Sequence, residues 1–185
     1  MTDKELISRL KQREEAAFRV LVERYRQRVY NTALGLLQHE LDAEDAAQDV
    51  FVQIYRSIEK FREESLLSTW IYRITVSRCL DILRNRKRKK RWGVVLQLFN
   101  QQGELQVDPP NFYHPGVQLD QKENAALLFK LIKQLPEKQQ TAFILFKLEG
   151  LSYAEIADIM KTTEKAVDAL LQRAKINLKK NALIQ

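Results

Sequence analysis

Glycine and proline are scarce along this chain, and most of them fall in one short segment. The 185 residues include only 5 glycines and 4 prolines. The segment between Trp92 and Leu119 holds three of each, namely Gly93, Gly103, Gly116, Pro109, Pro110 and Pro115, and it has no lysine or arginine. Because glycine and proline interrupt helices, this distribution predicts mostly helical structure on either side of a linker.

The expected fold class is therefore all-α. We predict two small helical domains, an N-terminal helical bundle and a C-terminal helix-turn-helix, joined by a flexible linker. The first domain is placed at residues 1–91, the linker at 92–119 and the second domain at 120–185. Each domain is small but lies within the size range that can fold alone, and apolar residues make up 45% of the chain, enough for a core.

Several classes of protein are disfavoured by the composition. No run of 18 apolar residues occurs, and the amino terminus is charged from its third residue. We therefore expect neither a signal peptide nor a membrane span. The protein is expected to be intracellular and cytoplasmic. The single cysteine, Cys79, cannot form an internal disulfide, and His39 and His114 lie far apart. We therefore expect no metal site, no cofactor and no enzymatic activity.

The net charge of +7 is concentrated in one place. From Arg84 to Arg91 the sequence RNRKRKKR, here called the basic run, contains seven basic residues and no acid, while the other residues balance at 24 basic and 24 acidic. Such a cluster attracts polyanions through counterion release, and nucleic acid is a commoner partner than an anionic membrane. A solvated basic tail is the alternative.

A predicted third helix, with Asp42 as its N-cap, has two contrasting faces. Its apolar stripe comprises Ala46, Ala47, Val50, Phe51, Ile54, Tyr55 and Ile58. The opposite face, here called the docking face, carries Glu44, Asp45, Gln48, Asp49 and Gln53. Taken by itself, this acidic face is more simply explained as solvated surface than as a binding site.

The next predicted helix, STWIYRITVSRCLDILR, leads directly into the basic run. At roughly 100° per residue, one broad side is core, with Ile71, Tyr72, Thr75, Val76, Cys79, Ile82 and Leu83. The other side carries Trp70, Arg73, Ser77, Asp81 and Arg84. An aromatic ring among arginines suits single-stranded nucleic acid, because bases stack on the ring while guanidinium groups hold phosphates. Packing of Trp70 against a neighbouring side chain is the alternative.

The C-terminal segment predicts two short helices joined by a tight turn. Ser152 and Glu155 form an S-x-x-E capping box, and Thr163 can cap the helix that follows the turn at Lys161-Thr162. The spacing fits a helix-turn-helix, whose second helix enters a major groove, although any helical hairpin shares that spacing.

Three of these segments together resemble the extracytoplasmic-function (ECF) sigma factors, group 4 of the sigma-70 family. They are LDAEDAAQDVFVQIYRSIEKFR, the following STWIYRI with its basic helix, and LPEKQQTAFILFKLEGLSYAEIADIM followed by a capped helix with QRAK. The resemblance covers nearly the whole chain in the same order. It implies a sigma factor that directs promoter recognition and DNA melting for a stress or cell-envelope regulon under anti-sigma control.

The resemblance also implies partners and site residues. The docking face would bind the beta-prime coiled coil of core RNA polymerase, and the second domain would contact the beta flap. Minus-ten recognition and melting would fall to Arg62, Ser65, Ser68, Thr69, Trp70, Arg73, Ser77, Arg84, Arg86, Lys87 and Arg88. Minus-35 recognition would fall to Thr162, Thr163, Lys165, Gln172, Arg173 and Lys175.

Some positions depart from the family pattern. Ser77 stands where many relatives have asparagine, and Asp168-Ala169-Leu170 stands where relatives often have Lys-Ser-Arg. Lys161 replaces a frequent turn glycine, which predicts strained dihedrals or a differently shaped turn.

Two other functions compete with a sigma factor. A free-standing helix-turn-helix regulator would bind duplex operators without polymerase, but it leaves the docking face unexplained. An enzyme acting on nucleic acid would suit the basic run, but the carboxylates lie on helix faces without convergent partners.

Overall fold

The computed structural model describes residues 1–99 and 122–182, with side chains at 1–89 and 127–182. All regular structure in these ranges is helical, as predicted. The helices are α1 (Asp3–Lys11), α2 (Glu15–Leu37), α3 (Glu40–Ser57), α4 (Leu67–Phe99), α5 (Lys122–Lys133), α6 (Glu137–Lys147), α7 (Tyr153–Met160) and α8 (Glu164–Ala182), with one 3-10 turn at Ile58–Lys60. Below, α1–α4 are called the N-terminal bundle and α5–α8 the C-terminal bundle.

The start of α3 differs from the prediction. His39, not Asp42, is the N-cap, and its Nδ1 accepts a hydrogen bond from the backbone N–H of Asp42 at 3.3 Å. Asp42 instead lies in the first turn, where the helix dipole favours an acid. Its carboxylate also forms an ion pair with Arg86 of α4, so it links the two helices.

The N-terminal bundle has the apolar core that the helical periodicity predicts. Its fully buried side chains include Leu6, Leu21, Val50, Ile54, Ile58 and Ile71. Tyr55 was predicted to be a core residue, but it is 43% exposed. Its ring lies at the edge of the core, 5.2 Å from the ring of Phe18 and 4.7 Å from the guanidinium of Arg13.

The predicted core side of α4 is mainly confirmed. Ile71, Tyr72, Thr75, Val76 and Cys79 are buried, whereas Ile82 and Leu83 are half-buried. Burial raises the pKa of the Cys79 thiol to about 12, so it stays protonated and unreactive at neutral pH. The helix continues to Phe99, so residues 92–99, predicted as the start of the linker, extend α4. Residues 100–119, the rest of the predicted linker, lie outside the described part of the chain.

The turn chemistry of the C-terminal bundle is as predicted. Ser152 and Glu155 form the reciprocal capping box at the start of α7. Lys161 ends α7 in the left-handed region with φ 51°, so the predicted strain is present there. Thr163 caps α8 by accepting a hydrogen bond from the N–H of Ala166 at 3.2 Å. Helices α7 and α8 therefore form the helix-turn-helix.

The two bundles pack directly against each other through α2. Gly35 lies near the end of α2, and the helix continues through it to Leu37. A Cβ at Gly35 would lie 3.1 Å from Ile144 Cγ2 and 3.2 Å from Leu148 Cδ1, so the glycine allows close approach of α6. Side chains of both bundles belong to one apolar cluster.

Polar groups at this contact are also satisfied. The side-chain amide of Gln38 donates to the carbonyl of Phe129 at 3.0 Å, and that of Gln140 donates to the carbonyl of Leu36 at 3.4 Å. Tyr72 donates its hydroxyl proton to Glu149 Oε2 at 2.9 Å. Because buried polar groups are costly when unpaired, these bonds favour one relative orientation of the bundles.

Glu149 makes this contact sensitive to pH. Burial raises the pKa of its carboxyl above the usual range, more than the hydrogen bond from Tyr72 and the positive charge of Arg28 lower it. A raised folded-state pKa contributes stability at low pH, and that contribution is lost as the pH rises through the raised value.

We therefore expect Glu149→Gln to stabilise the protein increasingly as the pH rises from about 4 to about 8, because glutamine still accepts the Tyr72 hydrogen bond but cannot ionise. Urea unfolding of the variant and of the original chain across this range measures the difference. Glu155→Gln is the control of opposite sign, since hydrogen bonds from Ser152 lower the pKa of Glu155. A pH-independent difference for Glu149→Gln would contradict the expectation.

Candidate nucleic-acid and polymerase interfaces

The docking face lies on the solvent side of α3. Its five residues, Glu44, Asp45, Gln48, Asp49 and Gln53, are all exposed, while Ala43, Ala46, Val50 and Ile54 bury the opposite side. The sequence analysis did not include Leu41 and Val52, which are 67% and 48% exposed near the two ends of this face. A combination of acidic and exposed apolar side chains on one helix suits a protein partner.

Asp49 differs from its neighbours on the docking face. Its carboxylate accepts hydrogen bonds from Arg78 of α4, with Nε at 3.0 Å and Nη2 closer. A shallow hollow beside this pair is lined by Asp49, Val52, Gln53, Arg56 and Arg78. Asp49 therefore joins α3 to α4 as well as facing solvent, whereas the side chains of Asp45 and Gln48 make no hydrogen bond or ion pair with the described residues.

Trp70 is half-buried at the start of α4. Its ring centroid lies 5.0 Å from that of Phe61, with the two planes tilted by 36°. Phe61 is only 5% exposed, and its ring packs against that of Trp70. This contact was not predicted from the sequence. Trp70 also borders the aromatic hollow, a space of about 160 Å³ lined by Lys60, Phe61, Arg62, Glu64, Ser65, Trp70 and Arg73.

The other residues predicted to contact the minus-ten element differ in exposure. Arg62 is exposed, with a guanidinium nitrogen 4.0 Å from the Glu64 carboxylate. Ser65 and Ser68 are half-buried, and Ser77 is exposed. Thr69 was predicted to contact DNA, but it is only 4% exposed and its side chain faces the core. Thr69 is therefore not placed to contact DNA.

The described residues of the basic run lie along the exposed part of α4. Arg84, Arg86, Lys87 and Arg88 are all exposed. Arg84 donates to Glu137 of the C-terminal bundle at 2.9 Å, and Arg86 pairs with Asp42. Two of the four predicted phosphate contacts in this run are thus occupied by carboxylates of the chain itself.

A cleft of about 690 Å³ separates the outer side of α4, which carries Trp70, Arg73 and Ser77, from the C-terminal bundle. We call it the interdomain cleft. Its N-terminal wall includes Gln53, Trp70, Arg73, Ser77 and Arg84, and its C-terminal wall includes Glu137, Lys138, Ile159, Met160 and Lys161. Arg73 crosses the gap, with Nε donating to the backbone carbonyl of Asp158 at 3.0 Å and Nη2 donating to its carboxylate.

All six predicted minus-35 residues are exposed on or just before α8: Thr162, Thr163, Lys165, Gln172, Arg173 and Lys175. Asp168 shares one face with Lys165, Gln172 and Lys175, since these positions follow helical spacing. Leu170 is half-buried and packs against the core, which gives the residue a packing role. The face therefore carries an acid between its cations.

Among the described residues, no group of three or more His, Cys, Asp or Glu side chains is placed to hold a metal ion. No described helix combines the length and apolar character needed to cross a membrane.

Two family models match the chain. The Sigma-70 region 2 model matches residues 21–89, which covers the docking face, the aromatic hollow and most of the basic run. The Sigma-70, region 4 model matches residues 125–178, which includes α6, α7 and most of α8.

Curated relatives match over almost the full length. The ECF RNA polymerase sigma-E factor of Haemophilus influenzae is 34% identical over 178 residues, covering 95% of this chain and 92% of the relative. The sigma-E factor of Escherichia coli is 30% identical, covering 95% and 91%. The RNA polymerase sigma-H factor of Pseudomonas aeruginosa is 29% identical, covering 94% and 90%.

Solved structures show the same fold. CnrH, in complex with the cytosolic domain of CnrY, superposes with a TM-score of 0.70 at 18% identity, covering 99% of this chain and 98% of that one. The sigma factor RpoE of Bartonella quintana, in complex with the anti-sigma factor NepR, gives 0.62 at 20% identity, covering 88% and 94%.

Both sigma-70 regions thus occur in order along this chain, and the identity to ECF factors extends over nearly all of it. The chain belongs to the extracytoplasmic-function family of sigma-70 factors, which direct RNA polymerase to promoters for transcription initiation.

Proposed function

We propose that the docking face is the main contact with core polymerase. The observation that supports this most directly is the exposure of Glu44, Asp45 and Gln48 on the side of α3 that faces away from the core. The exposed Leu41 and Val52 add apolar area at the ends of this face. In this proposal the beta-prime coiled coil lies along α3, and the beta flap contacts the C-terminal bundle.

The aromatic hollow is proposed as the minus-ten reader. A base that leaves the duplex would stack on the free side of Trp70, while Arg62 and Arg73 contact the adjacent backbone. Extracting a base costs a few kcal/mol, and base-aromatic stacking of about 1–3 kcal/mol offsets much of that cost. Ser77 lies one helical turn beyond Arg73 on the same wall of the interdomain cleft, and it would face the neighbouring nucleotide.

Phosphate contacts are proposed for the basic run and α8. Arg84, Arg86, Lys87 and Arg88 would hold the backbone near the point of melting. Lys165, Gln172, Arg173 and Lys175 would contact the minus-35 element, with Thr162 and Thr163 at the helix start, where backbone N–H groups favour phosphate. The two reading surfaces are proposed to belong to domains at residues 1–91 and 120–185.

The biological setting of this factor is also proposed. We infer a cytoplasmic, non-enzymatic subunit that works within RNA polymerase holoenzyme and serves a stress or cell-envelope regulon. An anti-sigma factor is the proposed inhibitor, by analogy with the complexes of CnrH and of Bartonella RpoE.

Run-off transcription tests the proposal. Purified chain is mixed with core polymerase and a genomic promoter library, and the expected result is a discrete set of transcripts that the core enzyme alone does not make. A parallel pull-down measures binding to core polymerase. Tight binding to duplex promoters without polymerase, combined with no binding to core, would instead identify a free-standing helix-turn-helix regulator.

A further inference from the structure

Asp168 is an exposed acid on the helix that is proposed to read the minus-35 element. It is the fifth residue of α8, which begins at Glu164. In helix-turn-helix proteins the second helix lies in the major groove, and its N-terminal residues contact the edges of the bases. At a rise of about 1.5 Å per residue, Asp168 lies about 6 Å from the start of α8. It therefore belongs to the part of the helix that would meet the bases.

No interaction within the described part of the protein accounts for this acid. Its carboxylate makes no hydrogen bond or ion pair with any residue in the described ranges. Lys165 and Gln172 are close enough for a contact along the helix, three residues before and four after it, but neither binds it. The helix dipole stabilises acids within the first turn, whereas Asp168 lies in the second. The carboxylate is therefore free to accept hydrogen bonds from a partner of the protein.

The neighbours of Asp168 indicate which part of the DNA it would meet. Exposed cations at Lys165, Arg173 and Lys175 supply the attraction to phosphates. A carboxylate that faced a phosphate would be repelled and would oppose that attraction. Ala169, the next residue, presents only a methyl group, which leaves room for the helix backbone to come close to the bases. Because an aspartate side chain is short, such a close approach brings its carboxylate to the base edges.

The chemistry of the major groove then selects the base. Cytosine presents its amino group there, a donor that suits a carboxylate. Adenine presents an amino group beside the acceptor N7, so one carboxylate oxygen would accept a hydrogen bond while the other faced a lone pair. Guanine and thymine offer no hydrogen-bond donor in this groove. A carboxylate at the base edges therefore favours cytosine over adenine and disfavours guanine and thymine.

We propose that Asp168 is a specificity-determining residue of the minus-35 reader, which accepts a hydrogen bond from the amino group of a cytosine. The cations of α8 strengthen binding to any DNA sequence. Asp168 weakens binding to most sequences and recovers the loss only where its carboxylate meets an amino group, so it acts by rejecting wrong bases. This inference rests on the proposed role of α8 in contacting the minus-35 element.

A selection with holoenzyme tests the assignment. The full chain is combined with core polymerase, a duplex library with a long random segment is passed over the complex, and the retained DNA is sequenced. The selection is repeated with Asp168→Ala, which removes the carboxylate, and with Asp168→Asn, which replaces it by an amide. Glu164→Ala is the matched control, because it makes the same change in charge at an exposed position one turn earlier on α8. Circular dichroism checks that each variant is folded.

We expect the original chain to prefer cytosine over guanine and thymine by about tenfold at one position of the minus-35 element, in keeping with the usual cost of one mismatched base pair. Asp168→Ala should lose the preference at this position and keep the preferences at the others. Asp168→Asn should move the preference to adenine, whose N6 and N7 match an amide. Glu164→Ala should keep the cytosine.

An unchanged base preference in Asp168→Ala would overturn the inference. So would a loss of the cytosine in Glu164→Ala, because the preference would then follow the charge of the helix and not the carboxylate of Asp168. Failure of the proposed function has a different signature. In that case the original chain does not bind core polymerase, and the selection yields no two-part promoter motif with any of the proteins.

Discussion

Replacing Trp70 with alanine is expected to abolish or greatly slow promoter opening while leaving binding to core polymerase nearly unchanged. Alanine removes the stacking surface at the aromatic hollow, which is worth about 1–3 kcal/mol per base, or roughly 5- to 150-fold in open-complex formation. The docking face lies on α3 and is not part of the hollow. Permanganate footprinting of a melted promoter and a core-binding titration measure the two properties separately.

The packing of Trp70 on Phe61 requires a control for stability. Truncating a fully buried tryptophan costs about 3–5 kcal/mol, and the half-buried Trp70 should cost less. Trp70→Phe keeps an aromatic ring against Phe61 and should recover much of the opening rate. If Trp70→Ala loses polymerase binding together with promoter opening, or if it unfolds at the assay temperature, Trp70 is a packing residue and the stacking role is wrong.

Reversing the charge of Asp45 is expected to weaken binding to core polymerase by roughly 10- to 100-fold, because an arginine there would face a partner surface complementary to acids. Asp45 is the sharper choice than Asp49, whose carboxylate is bound by Arg78. An arginine at position 49 would repel Arg78 and disturb the contact between α3 and α4, so lost binding could not be assigned to polymerase alone.

Glu23→Arg is the matched control for this prediction, since Glu23 is an exposed acid on α2 and the change in charge is the same. The Asp45 variant should keep the melting temperature of the original chain, because its side chain points away from the core. Equal core affinities of the two variants, measured by competition against the original chain, would contradict the assignment of the docking face.

Local sequence signals were enough to predict most of the helices and caps. The capping box of Ser152 and Glu155, the cap at Thr163 and the unusual turn at Lys161 are all present, because each depends on groups within a few residues. The predicted N-cap of α3, Asp42, was wrong because His39, three residues earlier, caps the helix instead. Both side chains can cap a helix, and sequence order does not decide between them.

Long-range contacts account for what the sequence could not predict. The role of Gly35 depends on Ile144 and Leu148, which are far away in sequence. The pairing of Arg73 with Asp158 has the same origin. The exposed side of α4 was identified correctly from periodicity, but periodicity does not show which other part of the chain covers it.

The first turn of α4 shows a limit of assigning site residues by resemblance. Thr69 was included among the minus-ten residues because the family resemblance implied it. It is buried at the point where the chain enters the helix from the preceding loop. A family motif gives the position of a residue in the sequence, but the burial of its side chain depends on the packing around it in this chain.

The uninterrupted length of α4 has a mechanical consequence. Its 33 residues form a helix about 50 Å long. The first half of this helix packs against the core, and the second half carries the basic run. Because the helix is continuous, a rotation of its buried first half about the helix axis also rotates the basic run. If a substitution at Val76 or Cys79, which are both buried, rotates the helix, it would change the direction in which the proposed phosphate contacts point without replacing any of them.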